Sequence, residues 1–215
     1  MGRWWLVLAA VAITGCHAKF KKAAPNIDSV GMQVFVNGPP QVMLGKAQAD
    51  PDSGFLAGLV AAGVNIAQGV KEAELRQVIA DAVDIQKVNE ALTVGVTDGL
   101  GAGPPFAVGE SDRRGLLQFE VVWYGMYVPQ IGAPGEYSYD IVASVYDVQG
   151  KRVYRKRTNC STGVGAPPAI SEALWTINNA KQLKETPPAD IQRAFTEVGS
   201  WCGLEIARKM RKHAG

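Results

Sequence analysis

The hydrophobic positions along this chain change period several times, and each change predicts a new element. Apolar and polar residues alternate from Ser29 to Val36, which is typical of a β-strand. After a set of turn residues, small and apolar side chains from Phe55 to about Ala82 predict a helix. Asp84 provides an N-cap for a second helical segment that ends near Asp98.

The following part of the chain predicts a sheet and then more helix. Its long runs are rich in Val, Ile, Tyr and Trp, a composition that favours strands. The expected strands are Phe106–Val108, Leu116–Val128, Tyr137–Val148 and Arg152–Thr158. Glycine-containing turns at 132–135 and 149–150 connect the last three as hairpins. Helical spacing returns in Ala169–Lys184 and Asp190–Lys212.

This order of strand, helices, hairpins and helices predicts an α+β fold. We expect a single domain in which an antiparallel sheet of about four or five strands has helices packed on one face. The hydrophobic content of 47% is ordinary for a globular domain. The chain is therefore expected to bury one core.

The first residues have the layout of a secretory signal. Arg3 precedes an unbroken apolar run from Trp4 to Ile13, and the small residues Thr14 and Gly15 follow. This run is too short for a bilayer core, which a helix crosses with about 20 apolar residues. The pattern predicts a cleaved leader and not a membrane-spanning helix.

The end of this leader, Ile13-Thr14-Gly15-Cys16, resembles the lipobox of bacterial lipoproteins, although Leu is usual where Ile13 stands. The resemblance implies cleavage before Cys16 and a diacylglycerol cysteine that carries a further acyl chain such as palmitate. His17 is not the Asp that retains such lipoproteins at the inner membrane. The resemblance therefore implies an outer-membrane anchor with the body facing the periplasm, and soluble secretion is the alternative.

Three segments follow from this interpretation. We expect a signal peptide at 1–15, the lipidated cysteine and a tether at 16–28, and a single periplasmic α+β domain at 29–215. The formal net charge of +2 includes Arg3, so the mature body is close to neutral. Such a balance gives no electrostatic support for nucleic-acid binding.

The two remaining cysteines, Cys160 and Cys202, form an even pair in a compartment where disulfides persist. A disulfide is the favoured interpretation. Inert thiols are the first alternative, because Cys202 falls on the apolar face of the last predicted helix. A reactive or metal-binding pair is the second.

Catalytic patterns are scarce in this sequence. The only histidines are His17 and His213, near the two ends, so the body has no imidazole for a triad or a zinc site. We expect no enzyme activity, no cofactor and no metal. The alternative is an envelope glycan hydrolase that uses paired carboxylates among Glu110, Asp112 and Glu120.

Three surfaces are candidates for binding. The first is a group of aromatic residues in the predicted strands: Trp123, Tyr124, Tyr127 and Tyr137. The second is the basic strand with Lys151, Arg152, Arg155, Lys156 and Arg157, which also suits a solvated sheet edge. The third is the small-residue ridge Gly54, Gly58 and Ala62, which suits either internal packing or a self-assembling ring subunit of a secretion system.

The element order is similar to that of periplasmic accessory lipoproteins of secretion and transport systems, such as the curli-secretion type. With the anchor and the lack of catalytic groups, this predicts a non-catalytic interaction, assembly or transport-accessory component of the cell envelope. The expected contacts are the membrane, through the lipid, and an envelope protein.

Overall fold

A mixed six-stranded sheet forms the centre of the fold. The computed structural model describes residues 18–44, 72–101, 105–109, 114–128, 136–162 and 180–215. The predicted leader, Cys16, the part before residue 72 of the helix predicted at 55–82, and the Gly54-Gly58-Ala62 ridge lie outside these residues. The strands are β1 (Ser29–Val36), β2 (Gln41–Leu44), β3 (Ala107–Val108), β4 (Arg114–Val128), β5 (Glu136–Tyr146) and β6 (Arg152–Ser161).

The helices lie before, between and after these strands. They are α1 (18–23, continued by a 3₁₀ turn at Ala24–Asn26), α2 (72–82), α3 (Ile85–Leu100), α4 (Ala180–Glu185) and α5 (Pro188–Ala214). Asp84 caps α3 as predicted, because its side chain accepts a hydrogen bond of 2.8 Å from the backbone N–H of Gln86. The last helix begins two residues earlier than the sequence predicts, with Pro188 in its first turn.

The expectation of an antiparallel sheet is wrong for three of the five strand pairings. The strand order is β3-β1-β4-β5-β6, and β2 also pairs with β4. The hairpins β4–β5 and β5–β6 are antiparallel, as predicted. However, β1 and β2 both run parallel to β4, and β3 runs parallel to β1. A long connection with helices separates β1 from β4 in the chain, and such crossovers join parallel strands.

A β-bulge interrupts the pairing of β4 with β5 at Val122. Val121 lies opposite Ile141, whereas Trp123 lies opposite Asp140, so Val122 is an extra residue. Side chains of a strand alternate between the two faces, and one extra residue reverses the alternation beyond it. Val121 therefore faces the core, and beyond the bulge Tyr124 does so instead of Trp123.

One face of the sheet is covered by α3 and α5. The apolar stripe predicted for the last helix is confirmed, since all its members are buried: Ile191, Phe195, Val198, Cys202, Ile206 and Met210. The two helices run close together, because a Cβ added to Gly203 would lie 2.5 Å from the carbonyl oxygen of Leu92. A Cβ on Gly95 would overlap the carbonyl oxygen of Ser200. Glycine permits this approach of two backbones.

Residues just before β1 also belong to the packed body. Phe20 on α1 is fully buried, and its ring centroid lies 4.6 Å from that of Tyr154 and 6.2 Å from that of Phe106. Ala24 and Ile27 are buried as well. The part of the tether that follows Ala18 is therefore packed against the sheet.

A disulfide joins Cys160, near the end of β6, to Cys202 in the middle of α5. The two Cα atoms are 5.7 Å apart, within the range that a disulfide spans without backbone movement. The sequence separation is 42 residues, for which the chain-entropy relation gives about 4 kcal/mol of stability. The bond fixes an edge strand to the helical layer.

We expect Gly95→Ala to lower the free energy of unfolding by about 1–3 kcal/mol, the usual effect of forcing extra atoms into a packed site. The added methyl group overlaps the backbone of α5, which a side-chain rotation cannot relieve. Urea denaturation followed by circular dichroism measures the change.

Gly199→Ala is the matched control. Its added Cβ would lie 3.7 Å from the Tyr139 hydroxyl, an ordinary contact. Alanine is a better helix former than glycine by about 1 kcal/mol, so this variant should be as stable as the wild type or more stable. Equal stability of the Gly95→Ala protein and the wild type would contradict the close crossing.

Candidate functional site

The face of the sheet opposite the helices is the candidate interaction surface. Residues that lie opposite each other on paired strands have side chains on the same face of the sheet. The strand pairing therefore shows which residues belong to this face. They include Phe35, Met43, Glu120, Trp123, Tyr127, Asp140 and Arg157. We call this side of the sheet the open face.

An apolar patch occupies one half of the open face. Phe35 is 47% exposed, Met43 43% and Val122 37%, although all three are large hydrophobic side chains. The partly buried Trp123 and Tyr127 lie between them on β4. We name these five residues the outer apolar patch. Single exposed apolar residues are common, but a group on one sheet face is typical of a contact surface.

Two of the four aromatic residues proposed for binding lie in the core instead. Tyr124 is 1% exposed and Tyr137 is fully buried, and both rings pack edge-to-face on Phe195, with centroids 6.0 and 5.3 Å away. Burial raises the pKa of Tyr124 to about 12 and that of Tyr137 further. The bulge at Val122 explains the difference between Tyr124 and Trp123, and a bulge has no clear signal in this sequence.

Tyr139 is a structural residue of the same cluster that the sequence did not single out. Its hydroxyl donates a 2.7 Å hydrogen bond to the backbone carbonyl of Phe195. Its ring stacks on that of Tyr124 at 5.7 Å. Complete burial raises its pKa well above the usual value for tyrosine. This bond ties β5 to α5 and contributes to the rigidity of the sheet beneath the open face.

A cleft lined by basic residues occupies the other side of the open face, at the β6 edge. Its volume is about 600 Å³, and its walls come from Lys19, Val142, Arg152, Val153, Tyr154, Arg155 and Arg157. We name it the cationic cleft. It contains three of the five residues of the basic strand identified from the sequence, and Lys19 from α1 joins them.

The four cations of the cleft differ in their partners. Arg157 donates to both carboxylate oxygens of Asp140, and this hydrogen bond raises its pKa. Within the described part of the chain, Lys19, Arg152 and Arg155 have no carboxylate partner. Their side chains are exposed. An anion that entered the cleft would therefore meet three uncompensated positive charges.

The basic residues at the end of α5 also divide into paired and unpaired groups. Arg208 forms an ion pair with Glu205, with 2.8 Å between Nη2 and Oε2, and Arg211 donates to the backbone carbonyl of Leu100. Arg211 therefore satisfies a terminal carbonyl of α3, a structural role. Lys212 is exposed and precedes His213, whose Nδ1 lies 3.2 Å from the Tyr154 hydroxyl in the wall of the cationic cleft.

A metal site, a membrane-spanning helix and a carboxylate pair each place requirements on the described residues. Among residues 18–44, 72–101 and the later described ranges, no three His, Cys, Asp or Glu side chains form a metal-binding group. Within the same ranges no helix combines the length and hydropathy needed to cross a bilayer. Glu120 accepts a hydrogen bond from Asn37 at 3.1 Å, and its proposed partners Glu110 and Asp112 lie outside the described residues.

Comparisons with known proteins give only distant likenesses. No protein-family model and no curated protein matches the chain. The hypothetical protein CT253 of Chlamydia trachomatis is 13% identical, with a TM-score of 0.30 over 86% of this chain and 96% of that one. A candidate lipoprotein of Caulobacter crescentus CB15 is 10% identical, with a TM-score of 0.23 over 90% and 97%. Scores this low assign neither a fold nor a function.

The buried Tyr139 hydroxyl provides a test of the contact between β5 and α5. We expect Tyr139→Phe to lower the free energy of unfolding by about 1 kcal/mol, because the buried hydrogen bond from the hydroxyl to the Phe195 carbonyl is lost. Urea denaturation of the purified protein measures the change.

Tyr137→Phe is the control for this substitution. The Tyr137 hydroxyl is buried without a hydrogen-bond partner among the described residues, so its removal should leave stability unchanged or raise it. A loss with Tyr137→Phe as large as that with Tyr139→Phe would show that the Tyr139 bond contributes nothing specific.

Proposed function

We propose that this protein is a bacterial lipoprotein, anchored through Cys16 in the outer membrane with its body in the periplasm. In that position it acts as a non-catalytic interaction component of the cell envelope, which holds a protein partner on the outer apolar patch. The observation that carries the proposal is the combination of a lipobox-like sequence with exposed apolar side chains on the sheet face opposite the described helices α3 and α5.

The anchor has a simple physical basis. Each buried methylene contributes about 0.8 kcal/mol, and one acyl chain alone gives only reversible membrane binding. A diacylglycerol cysteine with a further acyl chain such as palmitate holds the protein firmly. No spanning helix is then needed.

The partner surface is supported by its composition and its position. Aromatic residues and Met are enriched at protein interfaces, and the outer apolar patch has Phe35, Met43, Trp123 and Tyr127. Glu120 and Asp140 lie beside it and provide a polar rim. The paired strands beneath are fixed by the core, so a partner would meet a preformed surface.

The anchor is tested by labelling cells with radioactive palmitate. We expect the wild-type protein to incorporate label and to fractionate with the outer membrane. Cys16→Ala should abolish the label and leave an uncut chain of lower mobility on a gel, because both processing and acylation need the cysteine sulfur. Cys160→Ala with Cys202→Ala is the control: it leaves Cys16 as the remaining cysteine and no unpaired thiol, and it should label normally.

Equal labelling of the Cys16→Ala protein and the wild type would contradict the lipid anchor. Label with inner-membrane fractionation would contradict only the outer-membrane assignment.

The partner surface is tested by crosslinking in cells. A photoreactive phenylalanine analogue placed at Phe35 should give a discrete heavier species after irradiation, with one envelope protein identified in it by mass spectrometry. The matched control is the same analogue at Val94, which is 52% exposed on α3, away from the open face. Adding Met43→Glu to the Phe35 probe should remove the species, because a carboxylate in an apolar interface is costly to desolvate.

Adducts that form equally from Val94, or that survive Met43→Glu, would rule out a specific contact at the outer apolar patch.

A further inference from the structure

We propose that the cationic cleft binds the phosphate headgroups of anionic phospholipids in the membrane to which the protein is anchored. This inference rests on the lipid anchor proposed above and adds a second, electrostatic contact to it. The contact would fix the orientation of the body on the bilayer, which a flexible lipid attachment alone does not do.

The charge of the cleft is unusual for this protein. The chain as a whole has 22 basic and 20 acidic residues, yet Lys19, Arg152 and Arg155 come together with no carboxylate partner among the described residues. Arginine matches phosphate well, because its planar guanidinium donates two parallel hydrogen bonds. Asp140 holds Arg157 at the border of the cleft and leaves the other three cations available.

Chain length limits the distance between the cleft and the anchor. Lys19 follows Cys16 by three residues, a distance of at most about 11 Å even in a fully extended chain. Phe20, the next residue, is buried against Tyr154 in the wall of the cleft. The lipid attachment point can therefore lie no more than about 11 Å along the chain from Lys19, which brings the cleft within reach of the headgroups.

The lining suits a lipid headgroup more closely than it suits a bare ion. Val142, Val153 and the ring of Tyr154 form apolar parts of a cleft of about 600 Å³, beside the charged groups. A phosphodiester with its glycerol presents the same combination of an anionic oxygen group and short apolar segments. A basic residue near an anionic surface contributes about 1 kcal/mol, so three of them give a substantial contact.

The end of α5 adds charge on the same side. His213 contacts Tyr154, and the exposed Lys212 precedes it, so the last turn of α5 lies beside the cleft. The outer apolar patch lies further along the open face, around β4 and β2. Contact with the membrane through the β6 edge would leave that patch free for a partner.

The proposal is tested with the complete lipidated protein in vesicles of phosphatidylcholine alone, or of phosphatidylcholine mixed with phosphatidylglycerol. Phenylglyoxal modifies accessible arginines, and mass spectrometry gives the rate at each site. We expect Arg155 to react about fivefold more slowly in the anionic vesicles. Arg193 is the internal reference, because it lies about 30 Å from His213 along α5 and should react equally in both.

Two variants connect the effect to the cleft. Lys19→Gln with Arg152→Gln should remove most of the difference at Arg155. Arg76→Gln with Lys87→Gln, which removes the same charge at residues that do not line the cleft, should preserve it. Inorganic phosphate added to phosphatidylcholine vesicles distinguishes a lipid headgroup from a free anion, and it should not protect Arg155.

Flotation of the vesicles measures membrane attachment itself, so it distinguishes failure of the headgroup proposal from failure of the lipid anchor. Protein that floats with both vesicle types but shows equal Arg155 rates overturns the headgroup site and leaves the anchor standing. Protection by free phosphate alone, or protection that survives Lys19→Gln with Arg152→Gln, also overturns it. Protein that fails to float with phosphatidylcholine vesicles refutes the anchor, and the headgroup proposal falls with it.

Discussion

The extra residue at Val122 is the constraint on which the two faces of the sheet depend. Before it, Leu117, Phe119 and Val121 point towards the helices, and after it Tyr124 and Met126 do so. Without the bulge, the alternation would bury Trp123 and expose Tyr124. The core cluster around Phe195 and the outer apolar patch are therefore two results of one irregularity in β4.

The helices α3 and α5 restrict movement of the strands in the sheet. Gly95 and Gly203 bring the backbones of α3 and α5 together, and the Tyr139 hydroxyl and the disulfide attach α5 to β5 and β6. Packed interiors of this kind are stiff. The open face is thus presented on a rigid support, and its two surfaces, one apolar and one cationic, keep a fixed spacing.

The sequence predicted those features that depend on local chemistry. The cap at Asp84, both hairpins and the buried stripe from Ile191 to Met210 follow from residue type and period, and the structure has them. The direction of β1 relative to β4, the bulge at Val122 and the contact of Gly95 with α5 depend on tertiary arrangement. Periodicity does not encode these features. The same limit explains why Tyr124 and Trp123 could not be distinguished in advance, and why Lys19 was not connected with the basic strand.

The link between Cys160 and Cys202 also determines how the chain responds to damage. Any backbone cut between these two positions yields fragments that stay covalently joined, with the β6 edge on one and the greater part of α5 on the other. The two fragments of such a nicked molecule separate only when the disulfide is reduced. The arrangement thus gives a body that tolerates hydrolysis of its own polypeptide within this loop.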